Sequence, residues 1–201
     1  LLIIFNKSKF NFLIDNDYNK PQAFHENSTQ RLGGVTIFLL LVITLFYLYI
    51  SQNFYFFEYI SFCTLFFILG LLDDLKIRIA PKFRLGIMII FLLILIVKNE
   101  IYIEKTGLEF LNYLLKIDIF SLLFISLCFL FIINGSNLID GYNGLLAIHS
   151  LIIFVCLFFI NLSNQNIDLT YILFFIILIN LIFLQFHFPK AQMFLGDSGA
   201  Y

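Results

Sequence analysis

Residues 134–160 read NGSNLIDGYNG and then, without a break, LLAIHSLIIFVCLFFI: a polar segment with glycines, Asn134–Gly144, runs straight into the apolar run Leu145–Ile160. At 1.5 Å per residue such a run, as a helix, covers about 24 Å of the ~30 Å of hydrocarbon in a bilayer. The polar segment ahead of it has no place in lipid. It must lie in water or in a cavity lined by protein, because every backbone group in hydrocarbon needs an internal partner.

Five further runs repeat the pattern: Val35–Ser51, Phe54–Leu72, Leu85–Val97, Ile117–Ile133 and Leu169–Phe186. The third is short, and its helix is expected to begin within the preceding loop. Composition agrees. Of 201 residues, 61% are hydrophobic and 12% charged, against about 45–50% and about 25% in soluble domains. The fold class predicted is an all-α, polytopic transmembrane bundle, one membrane-embedded domain over residues 1–201. It has about six complete crossings and a partial N-terminal one ending in Leu1–Phe5. The chain opens on Leu1 without the basic start of a signal peptide, so it is expected to be a fragment lacking both ends.

A net charge of −1 by itself says nothing of a nucleic-acid partner, and with no basic stripe in the chain none is expected. Cys63, Cys128 and Cys156 each sit inside an apolar run, form no CxxC pair and are odd in number, so they read as small membrane-embedded hydrophobes and not as a disulfide framework or metal site.

Alternating the loops across the bilayer puts segments 6–34, 73–84, 134–144 and 187–201 on one side. That side holds nine of the twelve Lys and Arg residues; the other holds Lys98, Lys105 and Lys116. The positive-inside rule makes the first side cytoplasmic. Each cluster that looks chemical falls there too: Asp73-Asp74, the Asn137–Gly144 stretch, and Leu195-Gly-Asp197-Ser-Gly199. One composite site built from distant loops is the economical expectation.

Each cluster has a chemical and a plain reading. Asp73 and Asp74 repel one another at a membrane boundary, a cost relieved by a cation; equally, they end a helix in water. Lys76, Arg78, Lys82 and Arg84 suit phosphates or anionic headgroups, or simply obey the charge rule, and Arg84, at the start of a helix, is the better phosphate candidate. Asn137, Asp140 and Asn143 recur every three residues, after a membrane helix that Gly135 is expected to break. Gly141 and Gly144 let a ligand approach the backbone, whereas a plain turn has little use for spaced Asn and Asp. Asp197 between glycines suits a metal ligand near phosphates; alternatively Asp197 or Ser198 caps a helix opening at Ser198. In the first loop only Lys20 and Arg31 stand out, and His149 reads as an interhelical histidine.

Four ordered blocks resemble the polyprenyl-phosphate N-acetylhexosamine-1-phosphate transferases (glycosyltransferase family 4). That family includes undecaprenyl-phosphate GlcNAc-1-phosphate and phospho-MurNAc-pentapeptide transferases. The blocks are Lys20–His25 with Arg31-Leu-Gly-Gly34; Gly70–Asp74 with Pro81-Lys-Phe-Arg84; Asn137–Leu145; and Pro189–Gly199. The resemblance implies catalytic roles for Asp73 and Asp74, and Mg²⁺ binding by Asn137 and Asp197. It implies substrate binding by Asp140 and Asn143 at the nucleotide and by Arg84 with Lys82 at phosphate. The chain departs from many relatives at Asn143, where they carry Asp, and at Ile77, where they carry a third Asp. A later His-containing cytoplasmic loop of the family lies beyond Tyr201.

The implied reaction moves a sugar-1-phosphate, of N-acetylhexosamine type, from a UDP-sugar to polyprenyl (undecaprenyl) phosphate, with release of UMP. It would be the first membrane step of cell-wall or surface-polysaccharide synthesis, at the inner face of a bacterial cell membrane. Homodimerisation is left open. The alternative is a transporter or lipid scramblase, whose ionisable residues would lie at the midplane with internal repeats; here they cluster at one side and no repeat is visible. A CDP-alcohol phosphotransferase would need a longer acidic motif, which is absent.

Overall fold

The computed structural model describes residues 14–15, 29–52, 57–77, 79–103 and 105–201. Lys20, the partial N-terminal crossing and most of the first loop lie outside them. Among the described residues the regular elements are helices, apart from a two-residue antiparallel pair, β1 (Ile14–Asp15) with β2 (Thr29–Gln30), and one isolated bridge. It divides into two compact units, Leu1–Ile77 with Asn137–Tyr201, and Arg78–Ser136.

The first unit contains α1 (Gly33–Gln52), α2 (Phe57–Asp74), α6 (Leu145–Ser163), α7 (Ile167–His187) and the single turn α8 (Asp197–Ala200). Helices α6 and α7 form a hairpin across a short turn at Asn164–Asn166, where the Asn166 side chain accepts from the Leu169 N–H. Within this apolar pair, Asn180 Nδ2 donates to the Ala147 carbonyl at 3.2 Å and to Ser150 Oγ at 2.8 Å. Helix α1 packs on α7, and α1 and α2 meet through the stacked rings of Phe38 and Phe67, 4.1 Å apart. The buried core of this unit is Leu146, Ala147, Phe183, Leu195 and Ala200.

The second unit holds α3 (Pro81–Lys98), α4 (Glu109–Leu115) and most of α5 (Asp118–Ile139). Pro81 sits in the first turn of α3, where its missing N–H costs nothing and its fixed φ suits a helix. The helix therefore starts in the loop, as the short apolar run requires. Met88, Leu92 and Ile96 recur every four residues and are its buried stripe. The seven-residue α4 has no counterpart in the apolar pattern.

Outward faces are apolar: Phe46, Phe131 and Phe159 are each more than 60% exposed. That inversion of a soluble surface is what a lipid solvent demands. Four helices, α1, α5, α6 and α7, are long and apolar enough to cross a membrane. Helices α2 and α3 have 18 residues each and carry three charges apiece, Glu58, Asp73 and Asp74 on one, Lys82, Arg84 and Lys98 on the other. Their apolar centres are shorter than a bilayer core, so four of the six expected crossings meet the criterion of length and composition.

Gly135 does not break its helix: α5 continues to Ile139 and carries Asn137 in its last turn. Asn134 Nδ2 and Ser136 Oγ each donate to the carbonyl four residues back, at 2.8 Å, so the polar residues serve the helix they were expected to end. His149 is exposed on α6 and not packed between helices of its unit.

Candidate active site

The site is assembled by backbone pairing between two distant segments. Residues 29–34 run alongside 193–195: Gln30 bridges Met193 in parallel and accepts the Phe194 N–H at 2.9 Å. The first helical N–H groups of α1, which have no partner inside the helix, are then satisfied. Gly33 donates to the Phe194 carbonyl at 2.9 Å and Gly34 to the Leu195 carbonyl at 2.7 Å. His187 Nδ1 lies 2.8 Å from the Met193 carbonyl, so Nδ1 is the protonated nitrogen, and the ring stacks on Phe183. The segment that carries Asp197 is thus pinned from both sides.

Glycines permit the closest approaches. A Cβ on Gly34 would meet Gly199 N, and one on Gly70 would meet the Asp197 carbonyl. The turn α8 is therefore wedged between α1 and α2 at two positions where no side chain fits.

Asp74 closes the arrangement. It is 2% exposed, and its carboxylate accepts the Asp197 N–H at 3.0 Å and the Ser198 N–H at 2.9 Å. Arg31 Nη1 approaches Asp74 Oδ1 at 3.5 Å. The cap of α8 thus comes from Asp74, 123 residues earlier in the chain. Neither Asp197 nor Ser198 caps its own helix, as one sequence reading supposed; the N-cap residue is Gly196, at φ +75°, and makes no side-chain cap. Gly196 is a requirement here, since a Cβ would add left-handed strain and would lie 2.7 Å from Asp74 Oδ2.

The remaining first-unit candidates gather at the same end. Asp140 follows the last turn of α5. Burial, then the negative charge of Asp197, raises its carboxyl to about 7; Arg31 pulls the other way and Asp74 adds a further push upward. These groups are therefore near enough to feel one another. Asn137 is half-buried in the last turn of α5, and Asn143 Nδ2 reaches the Pro189 carbonyl at 3.5 Å. Asp73, beside Asp74, is half-buried. Lys82 is exposed and Arg84 half-buried in the first turn of α3, in the other unit. Sequence reasoning singled out Arg31 without a role and missed that Asp74 is a structural acceptor; the signal available was an Arg directly ahead of Leu-Gly-Gly. Among the described residues no group of three or more His, Cys, Asp or Glu is placed to hold a metal by itself.

Long apolar helices with a cluster of carboxylates and Arg31 at one end of one unit define a membrane-embedded protein, and the family model for glycosyl transferase family 4 matches residues 56–201: the chain belongs to that family. Among its relatives it is 32% identical over 188 residues to a phospho-N-acetylmuramoyl-pentapeptide-transferase of Dictyoglomus thermophilum. It is 27% identical to that of Dictyoglomus turgidum and 28% to that of Listeria innocua. The alignments cover 89–90% of this chain, and the chain spans 57–60% of the length of these relatives.

Proposed function

We propose that this chain is part of an enzyme that transfers a sugar-1-phosphate, of N-acetylhexosamine type, from a UDP-sugar to polyprenyl phosphate at the cytoplasmic face of the membrane. The observation that carries the reading is the convergence of Arg31, Asp74, Asp140 and Asp197, from four separate sequence blocks, at one end of one unit. Family membership and the names of the relatives support the same chemistry.

In this reaction a lipid phosphate oxygen attacks the β-phosphorus of the nucleotide sugar, and the bond to the α-phosphate breaks to release UMP. Asp73 orients the lipid phosphate or takes its proton, Arg84 and Lys82 hold phosphate oxygens, and Asp140 with Asn143 binds the nucleoside. Asp74 holds the turn that carries Asp197. Asp197 and Asn137 would hold Mg²⁺. Their carboxylate and amide oxygens are the hard donors this ion takes, and it commonly uses one or two carboxylates together with substrate phosphates. The mutual repulsion of Asp140 and Asp197 is what a cation relieves. When bound, the ion neutralises the diphosphate. The protein's own contribution is positioning and fixed charge.

The test is to incubate membranes of the full-length enzyme with radiolabelled UDP-sugar, polyprenyl phosphate and Mg²⁺. Labelled lipid and released UMP are expected. Label crossing vesicles without a lipid product would support the transporter reading, and a panel of UDP-sugars identifies the sugar.

A further inference from the structure

We propose that Arg31 is a positioning residue for the reaction, acting through Asp74 to fix the turn that presents Asp197. The inference rests on the transferase reading and deepens it. Three observations converge on Arg31.

First, its backbone is not free to wander. Gln30 bridges Met193, and Gly33 and Gly34 donate to Phe194 and Leu195, so Arg31 lies in a stretch tied to the Asp197 segment on both sides. Second, its guanidinium reaches the buried Asp74 carboxylate at 3.5 Å while a quarter of its own side chain stays accessible. A carboxylate with no exposed surface needs a counter-charge or a full set of donors. Two of the donors here are the Asp197 and Ser198 N–H groups. Arg31 therefore holds the acceptor that holds the turn. Third, the same cation acts on Asp140, opposing the repulsion from Asp197 and Asp74. One fixed positive charge is thus shared by two carboxylates from two sequence blocks, Asp74 and Asp140. Lysine carries its charge and donors on one nitrogen at the end of a flexible stem and lacks the planar guanidinium, so it substitutes only in part.

The test uses the full-length enzyme in detergent or nanodiscs, with Arg31→Lys, Arg31→Gln, Asp74→Asn and the double variant Arg31→Gln/Asp74→Asn. Two readouts are taken: steady-state transfer, and thermal unfolding without substrate or metal. A small misplacement of a reacting group costs about 100-fold in rate, so Arg31→Gln is expected to lose about that much kcat with KM for the UDP-sugar within roughly 3-fold. Arg31→Lys should recover at least ~10-fold of the loss. In unfolding, Arg31→Gln should lower the midpoint of the wild type but add little to Asp74→Asn, because both remove one interaction. Wild-type kcat in Arg31→Gln, a change confined to KM, or a full additive loss in the double variant would each overturn the inference. Should Arg31→Gln fail to fold, a wild-type kcat in Arg31→Lys overturns it equally. Absence of transfer by the wild type would instead defeat the reaction assignment, and the unfolding cycle would still decide the Arg31–Asp74 coupling.

Discussion

Asp74 accepts the backbone N–H of Ser198 at 2.9 Å across 124 positions of sequence, and the same carboxylate accepts the Asp197 N–H. A carboxylate at the end of one helix therefore builds the start of another. The relation separates two neighbours that look equivalent in sequence: Asp74 is buried in the framework, while Asp73 is half-buried beside it.

Asp74→Asn is the sharpest test of that division. Asparagine keeps the shape but offers one carbonyl oxygen where two oxygens now accept, so one N–H loses its partner. A buried donor left unsatisfied costs about 1–3 kcal/mol, and the half-buried Arg31, which loses its counter-charge, adds to the loss. Thermal unfolding in detergent is expected to show a clearly lowered midpoint together with severe loss of transfer. An unchanged midpoint would mean that the cap contributes nothing to stability.

Asp197→Ala should behave in the opposite way. The cap on α8 uses the Asp197 backbone N–H and not its side chain, so alanine leaves the framework bonds in place. Transfer is expected to fall to background while the unfolding midpoint shifts by less than the ~1 kcal/mol typical of a point mutation. Retained turnover in the full-length Asp197→Ala enzyme removes this residue from the chemistry.

Glycine positions give a matched comparison. Gly70→Ala drives a methyl group into the Asp197 carbonyl, whereas Gly135→Ala meets nothing within 4 Å. Overpacking against backbone costs about 1–3 kcal/mol and moves α8. At the open helical site, alanine is expected to stabilise by about 0.5–1 kcal/mol. Transfer and unfolding measured on both should show a crippled Gly70 variant and a Gly135 variant equal to or more stable than wild type.

The sequence legibly announced the apolar helices and the gathering of polar blocks between them, because periodicity and burial cost act locally. It was silent on the use of those blocks. Whether Asp73 or Asp74 turns inward depends on a rotation of one residue about α2 and on what docks there, and the docking element is more than a hundred residues away. The close passages at Gly34 and Gly70 likewise leave no trace beyond the absence of a side chain. Gly135 misled in the other direction: an unfavourable helix residue is overridden when Asn134 and Ser136 bond back to the helix carbonyls. The charge pattern fixed neither the partner of Arg31 nor the way a cap is supplied from another helix, since both are properties of the assembled end.

The pH dependence of stability follows from Asp140. Its carboxyl is raised to about 7, first by burial and then by Asp197, so the folded protein keeps a proton that the unfolded chain releases near 4. Between those values the folded state binds more protons, and stability falls as pH rises. Above about 7 both states are ionised and the penalty is constant. Metal-free unfolding midpoints should therefore decline from pH 5 to pH 7.5, and Asp140→Asn should flatten part of that decline. Partial exposure limits the effect to about 1–2 kcal/mol. A divalent cation beside Asp197 adds positive charge where the repulsion originates, which favours the ionised form of Asp140. Millimolar Mg²⁺ is thus expected to flatten the wild-type slope while leaving that of Asp140→Asn nearly unchanged. A slope indifferent to Mg²⁺ in the wild type would place the ion elsewhere, whatever its effect on transfer.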